Sequence, residues 1–252
     1  MTRLLMSLCS VAALVVVSGG VRAADDDAKA IIAKAIKAHG GEEYLTKNKA
    51  ARMQNKGKIQ IPGVGETEFT QDLAYMLPDK LKDTLELNIG GQKISIVTVM
   101  NGDKLSIEAA GKAVDVTDDI KKAMKDAKHM MTAGRLVPLL KDKSYELSVF
   151  GEAKVEDKPA IGIVVASKGK KDITLFFDKK TNLLAKIEHR TVESGTGNEI
   201  NEERIILEYK NNKDGIPIPK KVLVKHDGKT FLEAESLESV MLEAIDEAEF
   251  KK

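Results

Sequence analysis

The chain has 252 residues, with 40 lysines and arginines against 39 aspartates and glutamates, a formal net charge of +1. Charges so balanced and so interspersed point to neither a nucleic-acid footprint nor a polybasic membrane patch. Aromatic residues make up only 4% and tryptophan is absent, which excludes stacking platforms for bases or sugars.

The first residues predict a secretory signal peptide. Arg3 is its short positive region, Leu4 to Val17 its apolar run, and Val21 and Ala23 the small residues at −3 and −1 of a cleavage site. The run falls short of the roughly 18 to 20 apolar residues that a transmembrane span needs. The expected division is residues 1–23 as signal and residues 24–252 as one mature domain with no transmembrane span. That places the protein in the periplasm or envelope space of a bacterium. The only cysteine, Cys9, lies inside the apolar run, too early for lipid attachment, so the mature chain has no thiol and no disulfide. Cleavage also removes Arg3 and Arg22, which takes the net charge to about −1. About 230 remaining residues can bury a core of their own.

From Ala24 to Gly41 the pattern is helical. Asp25 to Asp27 suit its positive end, Ile31, Ile32, Ala35 and Ile36 form one stripe, and Gly40 suits the position after its last turn. A second short helix around Glu42 to Leu45 follows. After about Ala50 the period changes to two. KGKIQI runs to a turn built on Pro62, Gly63 and Gly65, and TEFTQDLAYM then alternates toward Pro78. LKDTLEL, QKISIVTVM, DKLSIEA and KAVDV continue the series, split by the turn sequences NIGG, NGDK and AAGK. Turns this short predict antiparallel neighbours.

One helix interrupts the strands. Thr117 is its candidate N-cap, Asp118 and Asp119 fill the first turn, and Ile120, Ala123, Met124, Ala127 and Met131 recur at helical spacing up to Gly134. RLVPLL offers another short turn of helix. The strand pattern then returns in SYELSVFGEAKV, AIGIVVAS, DITLFFD, LLAKIEHRTV, EERIILEY, KKVLVKH and TFLEAESLESVMLE. The expected fold is mainly β (α+β): a single large curved antiparallel sheet of about 10–11 strands, covered by two or three helices.

The hairpin FFDKKTNLLAKIEH, from Phe176 to His189, carries a resemblance. With Asp178, Thr181, Leu183 and Leu184 it resembles the bacterial lipoprotein-carrier (LolA-like) family, whose pattern is apolar-apolar-Asp-x-x-Thr-Gly-Leu-Leu. Asn182 replaces the glycine, and both residues tolerate positive φ. YMLPDKLK, VMNGDKLSI, DGIPIPKKVLVKHDGK and the terminal Glu247-x-x-Phe250 resemble further family elements in the same order. The resemblance implies a half-open β-barrel whose helices close over an apolar cavity. It also implies a non-enzymatic exported carrier that shelters the acyl chain of a lipoprotein or other amphiphile, with inner- and outer-membrane transfer proteins as partners. Two features depart from the family. Leu77 stands where carriers of this kind have an arginine that tethers the lid, so an arginine-locked lid does not carry over. Aliphatic and methionine side chains also replace the usual aromatic cavity lining.

The ligand-cavity candidates follow from alternation and helical spacing. Ile94 and Ile96 share one strand face, as do Ile173, Leu175 and Phe177, and Met124 and Met131 sit on the inserted helix. Each face reads equally as an open cavity or as a filled core, and the methionines as an adaptable lid or an ordinary apolar helix face. His39, His129, His189 and His226 show no metal-ligand spacing, and no phosphate-binding glycine motif or nucleophile elbow occurs. No catalytic residue, metal or cofactor is therefore expected. The alternatives to a carrier are an envelope interaction protein of the same fold with a filled core and, more weakly, a hydrolase assembled from distant residues.

Overall fold

The computed structural model describes residues 20–193 and 196–251. The apolar run and Cys9 of the expected signal lie outside the described residues. Helix α1 (Gly20–Ala38) starts before Asp25, so Asp25 to Asp27 sit beyond its first turn instead of at its positive end. Its stripe is as expected, with Ile32 and Ala35 fully buried and Ile36 nearly so. Gly40 leaves the helix at φ 102°, a left-handed conformation that costs glycine no steric strain, and α2 (Gly41–Lys47) follows at once.

Among the described residues thirteen strands form one open antiparallel sheet, where about 10–11 were expected. The first six are β1 (Ala50–Ile61), β2 (Gly65–Met76), β3 (Lys80–Ile89), β4 (Gln92–Asn101), β5 (Lys104–Ala109) and β6 (Lys112–Val114). Helices α3 (Asp118–Gly134) and α4 (Val137–Lys141) follow, making four α-helices where two or three were expected. The second run comprises β7 (Tyr145–Val155), β8 (Lys158–Ser167), β9 (Ile173–Asp178), β10 (Leu184–Val192), β11 (Glu199–Asn211), β12 (Pro217–His226) and β13 (Lys229–Leu242), and a 3₁₀ turn (Glu247–Phe250) ends the chain. Each run is a meander of sequential neighbours. The two join only where β1 pairs with β13, in the middle of the sheet, and β6 and β7 are its edges.

Turn chemistry sets the register at the β9–β10 hairpin. The Asp178 carboxylate accepts hydrogen bonds from Lys180 N at 3.0 Å, Thr181 N at 2.7 Å and Thr181 Oγ1 at 2.9 Å. Asn182 takes φ 58°, the conformation expected of it. At the other helix, Thr117 Oγ1 accepts from Ile120 N at 3.4 Å and caps α3 as predicted.

The helices gather on one side of the sheet. α1 lies along β7, α3 along β10 and β9, and α4 on β7. Beneath them is the main core, which contains Ile163, Val165, Ile173, Leu175, Phe177, Met130 and Leu136. The opposite face carries smaller clusters. Phe176, Ile205 and Leu223 pack together, and Phe250 of the 3₁₀ turn packs with Ala50, Ala74 and Met76. Coverage on both faces explains why Phe176 and Phe177 are neighbours in sequence and both buried. Register shifts after Gln54, Leu184, Ile206, Val224 and Val149 mark bulges that bend the sheet. At Gly57 of β1 the backbones come so close that a Cβ there would lie 1.9 Å from the Glu233 carbonyl oxygen. Only glycine fits that approach.

Candidate functional site

A cavity of about 330 Å³ lies between the sheet and the helices. Its floor comes from strands of both runs: Met53 of β1, Tyr75 of β2, Ile187 of β10, Val222 of β12 and Met241 of β13. Its roof is Leu45 of α2 and Met130, Met131 and Gly134 of α3. A Cβ on Gly134 would stand 3.6 Å from Ile187 Cδ1, an ordinary van der Waals contact, so α3 meets β10 here with room for a methyl group.

The polar groups in this wall are largely occupied by the protein itself. Tyr209 donates its hydroxyl to Leu184 O at 2.6 Å, and burial pushes its phenol pKa up. Tyr44 Oη accepts from Asn212 Nδ2 at 2.7 Å. His39 Nδ1 lies 2.8 Å from Ala35 O, and its Nε2 accepts from Leu184 N at 3.5 Å. The backbone donor fixes the tautomer, with the proton on Nδ1. Burial lowers the His39 pKa, which favours that neutral form. What faces the cavity is therefore mostly hydrocarbon, thioether and ring carbon.

Arg135 ends α3 and donates Nη2 to Leu45 O at 2.6 Å and Asn48 O at 2.5 Å. Leu77, at the position of the missing lid arginine, lines the same cavity. The arginine that ties helix to helix here is thus carried by α3, and it holds the end of α2. Arg204, also in the wall, donates Nε to Glu202 Oε1 at 2.7 Å. Glu202 is flanked by His226 at 3.2 Å and His189 at 3.4 Å, on strands β12 and β10 beside its own β11. Despite its burial, the Arg204 charge and these imidazoles hold the Glu202 carboxyl far below the usual range. Among the described residues no group of three or more His, Cys, Asp or Glu is placed to hold a metal ion.

The inner face continues onto β3. Asp83 shares that face with Leu81 and Leu85, and Gln71 Nε2 donates to both its carboxylate oxygens at 3.0 Å. Gln71 Oε1 in turn accepts from Asn55 Nδ2 at 2.9 Å. Burial, opposed only by that amide, raises the Asp83 pKa to about 6.

Of the residues singled out from sequence, Met131 lies in the cavity wall. Met124 lines a separate depression on α3. Ile173, Leu175 and Phe177 come together in the packed core beneath the helices, each at most 1% exposed. Ile94 and Ile96 are half-buried on β4, opposite Leu87 and Leu85 of β3. Sequence reasoning missed His39, Tyr44, Tyr75, Arg135 and Tyr209. Period-two alternation places Tyr75 with its strand face, but Arg135 follows the helix-breaking glycine and looks like any loop arginine.

No family model matches the chain, and no curated protein matches its sequence. Similarity appears in solved structures. A domain assigned to outer membrane lipoprotein sorting from Vibrio parahaemolyticus superposes with a TM-score of 0.51 at 8% identity, covering 90% of this chain and 97% of that one. A LolA superfamily protein from Nitrosomonas europaea gives 0.52 at 10% identity, over 89% and 97% of the two chains. A DUF1329 family protein from Desulfovibrio piger gives 0.51 at 11% identity, again over 89% and 97%. At this level of identity the likeness is one of fold, and the fold is LolA-like.

Proposed function

We propose that this protein is a non-enzymatic exported carrier that buries the acyl chain of a lipidated protein or related amphiphile in the cavity between sheet and helices. The observation that carries this reading is the cavity's wall: aliphatic and methionine side chains together with Tyr44, Tyr75 and Tyr209, more aromatic than the sequence led us to expect, with the Tyr44 and Tyr209 hydroxyls already bonded within the protein. Its volume falls in the range of about 300 to 1,000 Å³ typical of small-molecule sites. Sheltering an acyl chain gains about 0.8 kcal/mol per buried CH₂. Association and ordering costs offset much of that and leave a grip that can be released. Methionines 130 and 131 suit such a roof, because thioethers repack around chains of different shape. A LolA-like fold agrees with this reading, as does the absence, among the described residues, of a helix long and apolar enough to cross a membrane.

A hydrolase fits less well. Ser239 is in the wall, but no hydrogen bond joins it to His39, whose ring nitrogens face Ala35 and Leu184.

The test is titration with a fluorescent long-chain fatty-acyl probe, using wild type and the cavity-filling variants Met131→Trp and Ile187→Trp. Saturable binding by wild type and at least tenfold weaker binding by both variants, with unchanged circular dichroism, supports the carrier. No uptake by the wild type overturns it in favour of an envelope interaction protein with a filled core.

A further inference from the structure

A second depression, of about 850 Å³, lies along another side of α3. The two flank one turn of the sheet: Leu77 lines the cavity and Pro78, the next residue, lines the depression. They also divide α3 between them. Met130 and Met131 serve the cavity, while Met124, Lys125 and Lys128 serve the depression.

The chemistry of the depression differs from that of the cavity. Its apolar part includes Met100, Leu105 and Met124, but its rim holds six lysines against three aspartates. In a chain whose net charge is only +1, that is a local excess of cations. Part of it is neutralised: Lys121 pairs with Asp118 at 2.9 Å and Lys171 with Glu199 at 2.7 Å. Asp126 accepts from Thr191 Oγ1 at 3.3 Å and Asp142 from Ser144 N at 2.8 Å, neutral donors that orient these carboxylates and leave their charge in the rim, where the six lysines still outnumber the aspartates. Lys122, Lys125 and Lys128 have no ion-pair partner among the described residues. Three ammonium groups outside any salt bridge, Lys122 among them in the field of Glu199, thus follow one another at helical spacing along a groove with an apolar base, beside a cavity suited to a hydrocarbon chain.

We infer that this groove receives the anionic, phosphate-bearing head group of the amphiphile whose acyl chain occupies the cavity. The inference rests on the acyl-binding reading and adds to it a charge requirement on the ligand. An ammonium cluster is complementary to a phosphate oxyanion, and a zwitterionic head that brings its own cation forfeits that attraction.

The experiment compares two ligands with the same sixteen-carbon chain, lysophosphatidylglycerol and lysophosphatidylcholine, by isothermal titration below their micelle concentrations. Three exposed ion contacts, each worth about twofold, predict a preference of about tenfold for the anionic lipid at low salt. High salt should reduce the preference to within about twofold, because exposed charges are screened. The combined Lys122→Gln, Lys125→Gln and Lys128→Gln variant should lose the preference and keep its affinity for lysophosphatidylcholine. The corresponding triple arginine variant should retain the preference, which separates charge from folding effects. Equal binding of both lipids by the wild type overturns the inference and leaves the carrier standing. Binding of neither lipid removes both. Glycerol 3-phosphate binding as tightly as lysophosphatidylglycerol makes the groove a site for a free anion and also overturns the inference.

Discussion

Asp83 makes a quantitative statement about stability. It sits on the inner face of β3 between Leu81 and Leu85, hydrogen-bonded to Gln71 and without a cation. At neutral pH the fold has to hold a carboxylate where burial disfavours charge. The carboxyl titrates near 3.8 when free and is raised to about 6 in the folded protein. At about 1.36 kcal/mol for each tenfold change in proton affinity, the gap corresponds to about 3 kcal/mol. Below about pH 4 both folded and unfolded chains hold the proton, and the group costs nothing. Between about pH 4 and 6 the unfolded chain loses it first, so stability falls as pH rises. Above about pH 6 the full penalty is present and constant. Asp83→Asn removes the charge, keeps an acceptor for Gln71 Nε2, and adds a buried donor worth about 1 kcal/mol of loss. The variant should be about 2 kcal/mol more stable than wild type at pH 7.5 and slightly less stable at pH 4. Urea denaturation at pH 4, 5, 6 and 7.5, with the m-value checked at each, measures this directly. A difference between the two proteins that stays constant from pH 4 to 7.5 refutes the reasoning, as does a variant that is weaker at pH 7.5.

Two further substitutions probe the frame and the roof. Gly57→Ala places a Cβ against the Glu233 carbonyl and forces the β1–β13 seam apart; a loss of about 3 kcal/mol or more is expected in chemical denaturation, and an unchanged midpoint contradicts the close approach. Arg135→Ala removes the bonds to Leu45 O and Asn48 O. It should cost about 2 to 3 kcal/mol and speed amide exchange in α2, read by hydrogen–deuterium exchange; exchange equal to wild type shows that the tether does not hold that helix.

Local physics made much of this molecule readable in advance. Period-two alternation and short glycine turns located the strands, Thr117 marked the start of α3, and Asp178, Thr181 and Asn182 fixed the hairpin that carries the family resemblance. Thirteen strand-like segments stand in the sequence, one for each strand of the sheet, so the expected total of about 10–11 fell short of the segments themselves. Which strand face would be filled was beyond the same rules. Ile173, Leu175 and Phe177 alternate just as Tyr75 and its neighbours do, yet α1 and α3 seal the first set, whereas a cavity remains over Tyr75. That difference depends on where the helices land and how the bulges bend the sheet, both long-range outcomes. Arg135 escaped for a related reason. Its role depends on carbonyls some ninety residues earlier, at Leu45 and Asn48.

The strand order also governs when the molecule can form. Its two meanders are built from local contacts and can assemble early. The one pairing that unites them, Ala50 with Leu242, brings together residues about 190 positions apart, a closure costing on the order of 5 kcal/mol of chain entropy. β13 is the last of the described strands in chain order, and it lies at the centre of the sheet instead of an edge. Until β13 meets β1, each meander therefore keeps an unpaired strand edge at what will be the middle of the sheet, so the molecule is finished at its centre and last of all.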